Sequence, residues 1–146
     1  MKSLAIIATG IIMMILVAAS PDNENPAASG SEIQFKSGTW KDILALAKKE
    51  NKPIFLDISA SWCGYCKRMK ANVFTDIEVG KLYNSTFINV AVDGEKGDGV
   101  ELAKKYGVKG YPTFVFLNPD RSLAYQTSGY HDSNKFLKLG KDAISK

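Results

Sequence analysis

Two cysteines and one histidine are all that 146 residues offer in the way of thiolate or imidazole ligands. A structural zinc site takes four ligands, so this set falls short, and neither a metal nor a separate cofactor is expected. Covalent haem is excluded as well, because Lys67 stands where a histidine would have to follow Cys66. An excess of charge of one sign is also missing. Nineteen basic residues against fifteen acidic ones leave a net charge of +4, too mild and too dispersed for a nucleic-acid-binding face. With 45% hydrophobic and 23% charged residues, the length suits one globular domain and has no room for two.

The chain begins with a leader. Lys2 gives a minimal basic start, residues 4–19 carry no charge, and Val17, Ala18 and Ala19 are the small residues a signal peptidase needs. The uncharged run falls short of the roughly 18 to 20 apolar residues of a comfortable membrane span. Residues 1–19 are therefore expected to be a signal peptide cut near Ala19 or Ser20, an uncleaved anchor being the alternative. No cysteine lies near this boundary, which argues against lipid attachment. Residues 20–31, SPDNENPAASGS, read as a flexible linker, and residues 32–146 as the folded domain. The expected location is outside the cytoplasm, periplasmic in a bacterium, with the domain tethered to the membrane if the leader stays on.

Both cysteines fall in one stretch, FLDISASWCGYCKRM, residues 55–69. Residues 53–58 form a short apolar run expected to be a buried strand, and the residues after Cys66 are good helix formers, so Cys63 lies at the mouth of a helix. Unpaired N–H groups and the positive dipole end at that position favour a thiolate over a thiol. Cys63 is the candidate nucleophile. Cys66, one turn further in, is expected to be more shielded and able to break the mixed disulfide formed by Cys63. Gly64 is expected to permit a tight turn into the helix. A disulfide closing so short a loop stabilises little, which favours a redox role over a structural one, although spacing alone leaves an inert disulfide open.

The remaining pattern alternates strands and helices. A first edge strand is expected over 32–35 and an amphipathic helix over 40–50, capped by Ser37 or Thr39, with Trp40 as a core anchor. The cysteine helix should run to about residue 73. A second helical piece over 75–83 has Thr75 and Glu78 in capping-box spacing. Residues 87–92 form another buried strand, and 93–99 a loop expected to be the least constrained part of the domain. A helix over 100–106 ends at Gly107, placed for a left-handed residue. Residues 113–117 and 123–127 flank Asn-Pro-Asp-Arg and predict an antiparallel hairpin. A last helix begins at Asp132 or Ser133, with Phe136, Leu137, Leu139 and Ile144 facing inward. This is an α/β pattern, a central mixed sheet with helices on both faces.

Trp-Cys-Gly-Tyr-Cys-Lys at 62–67, the upstream Asp57 and Gly-Val-Lys-Gly-Tyr-Pro-Thr at 107–113 resemble the thioredoxin family, in particular its short exported or membrane-facing bacterial members. The likeness runs from about residue 33 to the C-terminus and implies the thioredoxin fold. Asp57 stands inside an apolar strand, where a carboxylate is costly unless its pKa rises or it has a partner. The resemblance implies that it accepts the proton of Cys66. It also implies a cis Pro112 facing the cysteine pair, with the backbone of Tyr111 offered to an extended substrate segment. Trp62 and Tyr65 are expected at the docking surface, Trp62 also shielding the thiolate. Two positions depart from the family: Asn89 replaces a lysine often found near the buried acid, and Tyr65 occupies the middle of the motif. His131 is expected in a solvated or capping role. The function expected is that of an exported, monomeric thiol-disulfide oxidoreductase, mainly a reductant of protein disulfides resupplied by a membrane electron-donor thiol protein. The alternatives are an oxidase or isomerase, or a non-catalytic binding module.

Overall fold

The computed structural model describes residues 32–145, so the expected leader and linker lie outside the described residues. β1 (Ile54–Ser59) has all six residues buried and forms the middle of the molecule. It pairs in parallel with β2 (Ile88–Asp93) and antiparallel with β3 (Thr113–Leu117), and β3 pairs antiparallel with β4 (Leu123–Ser128). The sheet order is β2-β1-β3-β4. Side chains alternate across a strand, so each face of β1 builds its own core. Ile54, Leu56 and Ile58 enter an aliphatic layer with Ile43, Ala47 and Leu102, under α1 (Trp40–Glu50) and α4 (Asp98–Lys105). Phe55 enters an aromatic layer with Met69, Tyr83, Phe114, Phe116 and Phe136, under α2 (Gly64–Asn72), α3 (Ile77–Thr86) and α5 (Ser133–Ala143). Asp57, two residues after Phe55, shares the aromatic face.

Local chemistry sets the helix ends. Thr39 and Asp42 form the capping box of α1, and Asp132 caps α5. Gly107 is left-handed at φ +58, as its place after a helix predicts. At the start of α3 the expected cap is displaced by one residue. Thr75 donates its hydroxyl back to the Ala71 carbonyl at 2.8 Å, and Asp76 instead accepts from the N–H groups of Glu78 and Val79. A carboxylate outcompetes a hydroxyl that the preceding helix already holds.

Three further expectations are corrected. Residues 32–35 are not a strand: one backbone bond, from Lys36 N–H to the Asn89 carbonyl at 2.8 Å, reaches β2, and the Gln34 N–H is taken by the Asn84 side chain. Ile144 is 50% exposed, because α5 ends at Ala143 before the residue can face the core. The 93–99 loop is closely tied. Gly94 N–H reaches the Ser59 carbonyl, Lys96 N–H the Asp93 carbonyl, and a Cβ on Gly99 would stand 1.9 Å from that Asp93 oxygen. Only glycine fits there. Helix α4 also starts earlier than expected, and the Asp98 carboxylate accepts the Trp40 N–H at 2.6 Å.

Candidate active site

The buried end of β1 delivers the chain to a turn at Ala60, and Cys63 follows as the N-cap of α2 with extended backbone, φ −73 and ψ 112. Its Sγ accepts the Cys66 N–H at 3.0 Å, one of the donors that the helix itself leaves unpaired. The two cysteines form a disulfide with Cα atoms 5.3 Å apart. Lys67 lies in the first turn, which contains no acidic residue. The local field there favours negative charge on Cys63 once the pair is reduced.

The expected difference in shielding between the two cysteines is absent: each is 3% exposed. The pair lies one side chain beneath the surface, between exposed neighbours Trp62 at 66% and Tyr65 at 57%, and the Tyr111 ring packs against it. What separates the two sulfurs is the hydrogen bond at the helix cap. The turn does not draw on the conformational freedom expected of Gly64. Its φ is not left-handed, and an added Cβ would meet nothing within 4 Å, so the turn does not require glycine.

Trp62 lies at the surface, outside the core. Its indole N–H lies 3.1 Å from both carboxylate oxygens of Glu95, and its ring meets Tyr111 edge-on at 5.9 Å. The Tyr111 ring sits over Gly94, where a Cβ would approach it to 2.7 Å. Burial, and then Glu95 and Asp93, hold the Tyr111 phenol above its usual pKa. The Tyr111-Pro112 peptide is cis. None of the turn and loop backbone hydrogen bonds around it uses the main chain of Tyr111, whereas the Pro112 carbonyl accepts from Gly129. On the other flank, Tyr65 lies beside Tyr130 at 6.5 Å, and the Arg68 guanidinium covers the Tyr130 ring at 4.8 Å. Gly94, Glu95 and Tyr130 were not singled out by sequence, since their places depend on loops remote from the motif.

Asp57 is 1% exposed, and neither of its carboxyl oxygens has a hydrogen-bond partner among the described residues. Burial pushes its pKa up to about 7, with Lys70 pulling the other way. The native state therefore holds this proton to higher pH than the unfolded chain does, whose carboxyl titrates near 3.8. Stability that depends on the neutral carboxyl is intact below that lower value and is lost as pH rises toward about 7. In the oxidised protein, Asp57→Asn should remove this slope and be the more stable protein at pH 8 by on the order of 2 kcal/mol. Urea titrations from pH 4 to 8 test this; parallel wild-type and variant profiles would contradict it.

His131 departs from its expected solvated role. It is 7% exposed, its N–H reaches the Met69 sulfur at 3.5 Å, and its ring lies 6.0 Å from Phe114. Burial, followed by Lys135, lowers its pKa. Among the described residues, no group of three or more His, Cys, Asp or Glu residues is arranged to hold a metal ion.

A mixed four-stranded sheet covered on both faces, a Cys-x-x-Cys disulfide capping the helix after the central strand, and a cis-proline leading into β3 define a thioredoxin-fold protein. A family model described as a thioredoxin-like domain matches residues 40–144, and the chain belongs to that family. A solution structure of a protein proposed to be a disulphide isomerase from Bacteroides thetaiotaomicron is 39% identical, superposes with a TM-score of 0.72, and covers 82% of this chain and 98% of its own. A thioredoxin from Thermus thermophilus is 28% identical at a TM-score of 0.70, with 77% of this chain and 88% of that one covered. The thiol:disulfide interchange protein DsbD of Yersinia pestis is 31% identical over 96 residues, 64% of this chain. The match spans only 16% of that relative's length.

Proposed function

We propose that the protein is an exported thiol-disulfide oxidoreductase that reduces disulfides in protein substrates. The observation that carries this reading is the Cys63 sulfur at the N-cap of α2, accepting the Cys66 N–H. In the reduced protein the Cys63 thiolate attacks one sulfur of a substrate disulfide and expels the other as a thiolate, forming a mixed disulfide. Asp57 takes the Cys66 proton, the Cys66 thiolate attacks the Cys63 sulfur, and the second substrate thiol leaves. Two electrons pass to the substrate, and the Cys63-Cys66 disulfide is the oxidised product. A membrane thiol protein returns the enzyme to its dithiol form.

An incoming chain meets Trp62 and the unengaged main chain of Tyr111 beside Pro112 on one flank, and Gly64 and Tyr65 on the other. It reaches the sulfurs by displacing the Tyr111 ring. The uncharged segment near the N-terminus supports export, and no helix among the described residues is long and apolar enough to cross a membrane.

Equilibration with redox buffers decides the direction of electron flow. A reductase should give a potential of about −270 mV; about −180 mV would identify an isomerase, and about −120 mV an oxidase.

A further inference from the structure

The chain's single histidine is buried, and the thiol chemistry leaves it without a task. The His131 Nδ1 has no hydrogen-bond partner among the described residues, while Nε2 lies 3.4 Å from the Thr127 hydroxyl on β4. A neutral ring fits this site, with its one N–H toward Thr127 and Nδ1 bare. A protonated ring does not fit. It adds an N–H at Nδ1 with no acceptor among the described residues, and it brings a charge in beside Phe114 and Met69.

The residues on either side of His131 build one wall of the groove that holds the sulfurs. Gly129 is left-handed at φ +88 and donates its N–H to the Pro112 carbonyl at 2.9 Å. Tyr130 is the ring that lies beside Tyr65 and under the Arg68 guanidinium. Asp132 caps α5, and the His131 N–H is held by the Met69 sulfur. Four consecutive residues are thus fastened to β3, α2 and α5, with the buried imidazole in their midst.

We propose that neutral His131 is the positioning residue for the Gly129–Asp132 wall, and that its protonation in acid releases this wall from Pro112 and Tyr65, so that the protein stops engaging disulfide-bearing chains. The consequence for turnover rests on the function proposed above; the motion itself does not. Few charged groups face the ring. α5 and its cap bring Lys135, which disfavours the protonated form, and Asp132, which favours it. β1 brings Asp57, set against Phe114 in the sheet register and itself held neutral by burial up to about pH 7. α2 meets the ring through Met69, its cations Lys67, Arg68 and Lys70 being exposed, while β3 and β4 meet it through Phe114 and Thr127. Burial and Lys135 lower the pKa of the closed form, so an opened segment takes up its proton first, near the ordinary 6.5. The closed wall is fully favoured above that value and loses ground as pH falls. The slope due to Asp57 runs the other way, so the two effects separate.

A ¹H–¹³C NMR titration of the oxidised full chain reads His131 without assignment, because no other histidine contributes. Its midpoint should lie below 6.5 and should coincide with loss of exchange protection at the Gly129 amide, which quickens about 10-fold per pH unit before the midpoint. The Gly94 amide, bonded to the Ser59 carbonyl, should keep its protection through the same range. His131→Gln and His131→Leu, which cannot take up the proton, should both abolish the Gly129 step. In single-turnover reaction with a peptide disulfide, the ratio of the wild-type rate to the His131→Gln rate should drop about 10-fold by one pH unit below the midpoint. Titration of the Cys63 thiolate is common to both proteins and cancels in that ratio. A ring that titrates while Gly129 stays protected overturns the proposal, as does a ring that stays neutral until the whole chain unfolds in acid. A step shared by Gly94, a step retained in both variants, or a flat rate ratio overturns it equally. Full activity in Cys63→Ser would remove the underlying function while leaving the link between His131 and Gly129 measurable.

Discussion

Replacing Cys63 with serine takes insulin-reduction turnover down to the background of the chemical reductant alone. A serine hydroxyl is not ionised at neutral pH and does not attack a disulfide, so the first covalent step has no nucleophile. The fold should survive the change, since serine is among the preferred N-cap residues and can accept the Cys66 N–H in place of sulfur. Circular dichroism should therefore match the wild type while activity is gone. Cys66→Ala should fail differently, accumulating the mixed disulfide in place of turning over and so trapping physiological partners. Undiminished turnover by the serine variant would remove the nucleophile assignment.

Phe55→Ala should cost about 3 to 5 kcal/mol of unfolding free energy, the range for deleting a fully buried aromatic ring. Six rings surround Phe55 with centroids 4.9 to 6.3 Å away: Phe35, Phe74, Tyr83, Phe114, Phe116 and Phe136. They come from the 32–35 segment, the turn after α2, α3, β3 and α5, and no single movement can bring all of them into the space left behind. Phe55→Leu keeps most of the volume and should cost far less, nearer 1.5 kcal/mol. A denaturation midpoint lowered at unchanged slope confirms loss of packing. A cost for the alanine variant under 1 kcal/mol would mean that the layer collapses around the gap.

Much of this was readable from sequence wherever one local rule acted alone. The apolar runs that became β1 and β3 had no competing reading, the last helix starts at Ser133, one of the two positions expected, and the Cys63 position at a helix mouth follows from a strand meeting helix formers. The misreadings occur where two groups compete for one role. Thr75 and Asp76 both suit an N-cap, and the helix behind Thr75 decides between them. Residues 32–35 have strand-like composition but lose a ladder bond to the Asn84 side chain. The 93–99 loop looked free because glycine permits many conformations; here Gly99 permits one close approach that no other residue could make. The burial of His131 and the seat of Tyr111 over Gly94 depend on elements far apart in the chain, which local patterning does not report.

The pleat of β1 imposes a condition on any insertion or deletion nearby. Phe55 and Asp57 point into one layer, and Ile54, Leu56 and Ile58 into the other. A slip of a single residue would exchange these sets, stranding the acid in an aliphatic wall and turning isoleucines into the aromatic layer. Any change in the length of this scaffold must therefore keep the parity of this one segment.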